Sequence, residues 1–200
     1  MDVNLKDPWS LVIGSGVTII IIIILFIFFT GSETFVYSFE DDMGGWEKAA
    51  TDTDQPTVDW NIERTSNLSR EGNYSVKLYL NNVNDKGKIW IQRPFDVKSE
   101  NDYKVEVSYH FGSSDFGSFN LWKIITGVRN KEPTDADDLQ YKGNTWNGES
   151  EESGYRWLKK SYEFSVTSGP KGEIWVFIGV WGTWETPRTY YIDDIKVTIK

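Results

Sequence analysis

Residues Leu11 to Phe29 read Leu-Val-Ile-Gly-Ser-Gly-Val-Thr followed by six isoleucines and Leu-Phe-Ile-Phe-Phe, nineteen positions without a charge. A helix of that length, at ~1.5 Å per residue, covers most of the ~30 Å hydrocarbon thickness of a bilayer. Consecutive isoleucines leave no polar stripe to face water, so a helix on the surface of a soluble domain is a poor alternative. A cleaved signal peptide would have a shorter apolar region, a basic start and a small-x-small exit, whereas this run leaves through Phe28-Phe29-Thr30-Gly31-Ser32. The expectation is a retained transmembrane anchor at 11–29, preceded by a short cytoplasmic tail at 1–10 and followed by a linker at 30–34. Residues 35–200 then form one domain.

Lys6 is the basic side chain before the span, against Asp2 and Asp7, and basic residues set topology more than net charge does. It places the N-terminus inside and the C-terminal domain in the extracytoplasmic space, as a single-pass membrane protein. Trp9 would sit at the interface. The sequons Asn67-Leu68-Ser69 and Asn73-Tyr74-Ser75 agree with export. No cysteine is present, so disulfides, thiolate metal sites and a cysteine-linked lipid are unavailable. The formal charge of −9 argues against nucleic acid and anionic lipid as partners, while neutral sugars are compatible with it.

Beyond Gly31, Gly, Asn, Asp and Ser punctuate short runs rich in Val, Ile, Thr and aromatic residues, the composition of an all-β sandwich or barrel. Strands are expected at 35–40, 57–64, 74–80, 87–95, 103–111, 119–128, 155–166, 173–184 and 189–199. Tyr103, Val105, Val107 and Tyr109 alternate with Lys104, Glu106, Ser108 and His110, a period of two with one buried face. Ile195, Val197 and Ile199 alternate in the same way with Lys196, Thr198 and Lys200. Such a set suits two stacked sheets. Residues 130–153 read as a solvated acidic loop; Asp135, Asp137 and Asp138 lack the ligand order of an EF-hand.

Catalytic constellations are sparse. His110 is the only histidine, and Gly112-Ser113-Ser114-Asp115 beside it lacks a nucleophile elbow. Glu106 has no evident carboxylate mate for glycoside hydrolysis, and there is no Glu-x-Asp-x-x-Glu run. A non-enzymatic domain is expected.

Four segments then stand in a telling order: Phe39-Glu40-Asp41-Asp42-Met43-Gly44-Gly45-Trp46, Ser69-Arg70-Glu71-Gly72-Asn73-Tyr74-Ser75-Val76, the strand from Tyr103 to Tyr109, and Tyr190-Tyr191-Ile192-Asp193-Asp194-Ile195. Together with Trp157 and Phe164-Ser165-Val166 they resemble the landmarks of jelly-roll carbohydrate-binding modules of the galactose-binding-domain-like group, over nearly all of residues 35–200. The resemblance implies a jelly-roll β-sandwich and a non-catalytic glycan-binding role. It also implies one structural Ca2+ where first and last strands meet, with Glu40 and Asp193 at the matching positions. Calcium takes six to eight oxygens, so carbonyls near Gly72 and Asn73 would have to join them.

Sugar-binding modules stack aromatic rings on the apolar faces of sugars, and nine tryptophans follow Gly31. Most must be core. Trp175, Phe177, Gly179 and Trp181 share one face of a strand whose other face is Ile174, Val176, Ile178 and Val180. The aromatic face, opened by Gly179, is the expected sugar platform. Asn120, Trp122 and Thr126 are expected beside it, with Glu106, Ser108 and His110 lining the same sheet. Two functions fit the sequence: a surface-displayed module that binds glycan, or a structural or adhesive part of a cell-envelope assembly that contacts proteins.

Overall fold

In the computed structural model the described residues are 31–113, 122–144, 155–182 and 187–200. The expected membrane helix at 11–29 and Asn120 lie outside them. Among the described residues no helix is long and apolar enough to cross a membrane.

Among the described residues eleven strands follow in order: β1 (Glu33–Tyr37), β2 (Glu47–Thr51), β3 (Asp59–Thr65), β4 (Ser75–Asn81), β5 (Lys88–Asp96), β6 (Asp102–Ser113), β7 (Trp122–Arg129), β8 (Tyr141–Asn144), β9 (Arg156–Thr167), β10 (Glu173–Gly182) and β11 (Arg188–Ile199). All nine expected strands are present. Two more, β2 and β8, were not expected: Glu-Lys-Ala-Ala-Thr and Tyr-Lys-Gly-Asn are poor strand formers, and each is an edge held by one neighbour. The strands form a six-stranded sheet of order β3-β4-β11-β6-β9, with β1 also on β11, and a five-stranded sheet of order β2-β5-β10-β7-β8. Every resolved register is antiparallel.

Period-two patterning decides what lies between the sheets. Val105, Val107, Tyr109 and Phe111 of β6 face Ile124 and Val128 of β7 and Ile174, Val176, Ile178 and Val180 of β10, all nearly inaccessible to water. One polar pair sits in this core, Tyr109 Oη with Thr126 Oγ1. Burial raises the Tyr109 phenol well above its usual range. Thr126, expected beside the sugar platform, therefore faces the core. In β11 the inward set is Tyr190 and Ile192, then Ile195, Val197 and Ile199. The change of parity is absorbed by a register shift between Asp193 and Lys196, with Asp194 at φ 52°. This bulge keeps both halves of the strand facing the core. Among the described residues every strand pair and core residue lies within 33–199, and Thr34–Ile199 form one compact unit with its own core.

Candidate functional site

The outer face of the five-stranded sheet carries the expected aromatic row, and cross-strand register shows what surrounds it. Trp181 stands between Lys88 of β5 and Lys123 of β7; Gly179 stands between Trp90 and Ile125; Phe177 stands between Gln92 and Gly127. Directly opposed residues share a face, so these rows form one patch. Its centre is closed. Trp90, Phe177 and Ile125 are buried under Leu139, which the β7–β8 connection lays over the sheet. Gly179 leaves no space for a sugar ring: a Cβ there would lie 2.1 Å from the Ile89 carbonyl oxygen and 2.5 Å from Trp90 Cα. Gly127 does the same for Phe177, whose Cζ would be 2.2 Å from an added Cβ. The glycines admit the chain's own rings.

The β7–β8 connection was expected to be a solvated loop, and it is instead pinned. Asp135 caps a single 3-10 turn, Ala136–Asp138, by accepting from the backbone N–H groups of Asp137 and Asp138. Asp138 is buried. It accepts from Thr134 N at 3.0 Å and Thr134 Oγ1 at 3.3 Å and forms ion pairs with Arg129 and, at 3.4 Å, Lys131. The Thr134 amide, then the two cations, hold its carboxyl at about 2. Gln92 Nε2 donates to Glu132 Oε1 at 2.8 Å, and Thr126 N donates to the Gln140 carbonyl at 3.0 Å. Sequence could not announce this, because an acidic residue in a Gly-poor loop looks the same whether its partner is water or arginine.

At one end of the patch the cover stops, and Trp181 and Tyr141 remain half-exposed. Their ring centroids are 5.5 Å apart with planes at 55°. Trp181 Nε1 donates to the Asp85 carbonyl at 2.9 Å, which fixes the indole. Lys88 Nζ lies 5.0 Å and Lys123 Nζ 5.1 Å from the Trp181 ring, within cation–π range. Lys88 is tied to Asp52 Oδ2 at 2.5 Å and to the Lys86 carbonyl. Burial first, then the charges of Asp52 and Asp137, push the Tyr141 phenol up to about 12. Two apolar ring faces thus meet ammonium donors, a carboxylate acceptor and a phenol that stays protonated.

The other expected site residues distribute as follows. Trp175 is on the same outer face but at the opposite end, between Pro94 and Arg129. Trp122 opens β7 opposite Gly182, at the Trp181 end, but its position has the parity of Ile124, Thr126 and Val128 and so falls on the core-facing side, not on the outer face where it was expected. Glu106, Ser108 and His110 do not line this sheet. β6 belongs to the six-stranded sheet, and their outer face points away from the Trp181 patch, with the whole core between. Sequence alternation gives a residue its face but not which strand is its neighbour. In that sheet Glu106 stands directly opposite Glu163, a carboxylate mate that sequence could not supply, and both are exposed. His110 Nδ1 lies 3.1 Å from Asp194 Oδ2.

Glu40 and Asp193 converge on one turn, Arg70 to Tyr74. Glu40 accepts from Asn73 N at 3.0 and 3.1 Å and from Tyr74 N at 3.0 Å. These amides, Tyr74 first, lower its carboxyl. Asp193 Oδ2 accepts from Arg70 N at 2.8 Å and Glu71 N at 3.3 Å, and Oδ1 from Asp194 N at 2.8 Å. Burial, and then the charge of Asp194, raise Asp193 to about 6. Two convergent carboxylates, one buried with no cation paired to it among the described residues, suit a hard oxygen-seeking ion in kind. Their number is short: among the described residues no cluster of three or more His, Cys, Asp or Glu could hold a metal. Turn carbonyls and water would have to complete the shell. Arg64 already takes the carbonyls of Phe39, at 2.6 Å, and of Glu40, and lies 3.4 Å over the Tyr74 ring.

No family model matches the chain, and no curated protein matches it by sequence. Solved structures do resemble it. The CBM22-1 xylan-binding domain from Paenibacillus barcinonensis Xyn10C is 14% identical, over 84% of this chain and 96% of that one, with TM-score 0.45. The K2 cleaved adhesin domain of Lys-gingipain is 12% identical over 82% and 97%, with TM-score 0.47. TmCBM61, solved with β-1,4-galactotriose, is 15% identical over 80% and 92%, with TM-score 0.44. Carbohydrate-binding modules are thus what this chain is similar to, as its motifs also indicate. At such remote likeness what those proteins bind is theirs alone, and function here is argued from this chain's own residues.

Proposed function

We propose that the chain is a non-catalytic glycan-binding β-sandwich whose site is the Trp181–Tyr141 corner. The observation that carries this reading is two half-exposed rings, fixed by the Asp85 carbonyl and the flanking strands, with Lys88, Lys123 and Asp52 around them. C–H faces of a pyranose suit the rings, and its hydroxyls suit donors and acceptors held at the rim. Neither Trp122, whose register position is on the core-facing side of β7, nor Trp175, at the far end of the sheet, belongs to this reading. Glu106 and Glu163 are both exposed on the outer face of the other sheet, away from this corner. His110 is occupied by Asp194.

In this reading the run at 11–29 anchors the chain in a membrane and the sandwich meets glycan outside the cytoplasm. Calcium held by Glu40, Asp193 and carbonyls of the Arg70–Tyr74 turn would supply the positive charge that buried Asp193 lacks. Melting of residues 31–200 with calcium and with chelator tests that part: a Tm raised by calcium is expected, and an unchanged Tm counts against it. A glycan array probed with residues 31–200, then with Trp181→Ala and Tyr141→Ala, tests the binding site. Binding lost in both variants is expected. Binding that survives both removes the proposed corner, and no binding to any glycan removes the reading.

A further inference from the structure

The two edge strands β2 and β3 end their sheets on the same side of the sandwich, and between them a cavity of about 490 Å³ opens into the seam. That volume is within the range of small-molecule sites. Its apolar lining is Met43, Trp46 and Ile62, the last two part of the core.

Register separates the charged residues of this cavity into two kinds. Glu47 is opposite Gln92 and Glu63 is opposite Lys77, so both belong to outer faces, and Glu63 is further tied to Lys77 at 3.1 Å. Lys48 is opposite Ile91 and Arg64 is opposite Val76, both core residues, so these two cations occupy inward-facing positions on the edge strands. A charged residue at such a position also deters pairing with a neighbouring chain. That alone does not explain the rest. Lys48 is exposed and has no carboxylate partner among the described residues, so a positive charge stands at the mouth of an apolar cavity. Trp46 is buried, packs edge-on against Tyr37 at 5.6 Å, and has no acceptor for Nε1–H among the described residues. A buried donor without an acceptor costs roughly 1–3 kcal/mol.

We propose that the β2–β3 seam binds a small amphiphilic anion: an apolar body against Met43, Ile62 and Trp46, and one carboxylate at Lys48, with the Arg64 guanidinium, itself held by the Phe39 and Glu40 carbonyls, adding positive charge nearby. The charge at the mouth selects the anionic head, and the core-lined interior selects the apolar body. A neutral polyol lacks the apolar body, and a cation would meet Lys48 and Arg64. The site is at the far ends of β2 and β3 from the Asp52 side of the sandwich, so it is separate from the Trp181 corner and independent of the glycan reading.

The test uses ¹H–¹⁵N spectra of residues 31–200 during titration with octanoate and, separately, octanamide, which has the same apolar body without the charge. The Trp46 indole resonance is identified by its loss in Trp46→Phe, or by sequential assignment should that variant misfold. Octanoate is expected to move it saturably, and octanamide to bind at least about tenfold more weakly. Lys48→Gln changes an exposed side chain and should weaken octanoate roughly three- to tenfold while leaving octanamide alone. An unmoved Trp46 resonance, equal binding of acid and amide, or unaltered octanoate binding by Lys48→Gln would each overturn the proposal.

Discussion

Asp138 offers the sharpest test of how the aromatic face is closed. Its carboxyl is held at about 2 in the fold against an ordinary value of 3.8. For a lowered carboxyl, the contribution is fully present above the unfolded value and is lost as the pH falls through the folded one. The shift alone corresponds to roughly 2.4 kcal/mol. Lys131 is largely exposed and Arg129 is partly so, and screening by water reduces the figure to roughly 1–2 kcal/mol. Asp138→Asn should therefore lower Tm by roughly 3–6 °C at pH 7, and the gap to wild type should close as the pH falls from 4 towards 2. The loss is local in origin. Amide exchange of Leu139 and Gln140 should quicken, and the Trp90 environment under Leu139 should become wetter, seen as a red shift in tryptophan emission. Unchanged melting and exchange in Asp138→Asn would refute the clasp.

Further tests address other joints. Gly179→Ala should destabilise by at least about 2 kcal/mol in urea titration, because the added methyl meets backbone of β5 and not a movable side-chain end. A neutral result would mean the two strands can separate without loss. Glu40→Gln should lower Tm and speed exchange of the Asn73 and Tyr74 amides above pH 4.5; the difference from wild type should shrink as acid protonates Glu40, whose carboxyl is lowered in the fold. Val107→Ala, a deletion in the middle of the core, should cost about 2–3 kcal/mol. A much smaller loss would place β6 elsewhere.

Much of the architecture was readable because period-two patterning is local. Val105, Val107, Tyr109 and Phe111 identify β6 and its buried face without any partner in view, and the aliphatic side of β10 is core as its alternation requires. Strand partners are not local. Sequence alternation alone groups Glu106 and His110 with Trp181, because both strands expose polar or aromatic faces, yet β6 and β10 lie in opposite sheets. Gly179 looked like room for a ligand, and it is room for Trp90. The most informative side chains of the Trp181 corner, Tyr141, Lys88 and Lys123, come from three strands, and one of those is the four-residue β8. Only cross-strand register assembles them. Glu40 and Asp193, by contrast, were recognisable from motif order and do converge on one turn.

The central claim is that glycan is bound at the Trp181 end of the five-stranded sheet and not at its Trp175 end, positions about 20 Å apart along β10. Affinity electrophoresis of residues 31–200 through gels containing a polysaccharide identified on the array measures this directly. Wild type and Trp175→Ala are expected to be retarded alike, and Trp181→Ala to migrate as in a gel without polysaccharide. Retardation that persists in Trp181→Ala, or is lost in Trp175→Ala with the fold intact, would contradict the assignment.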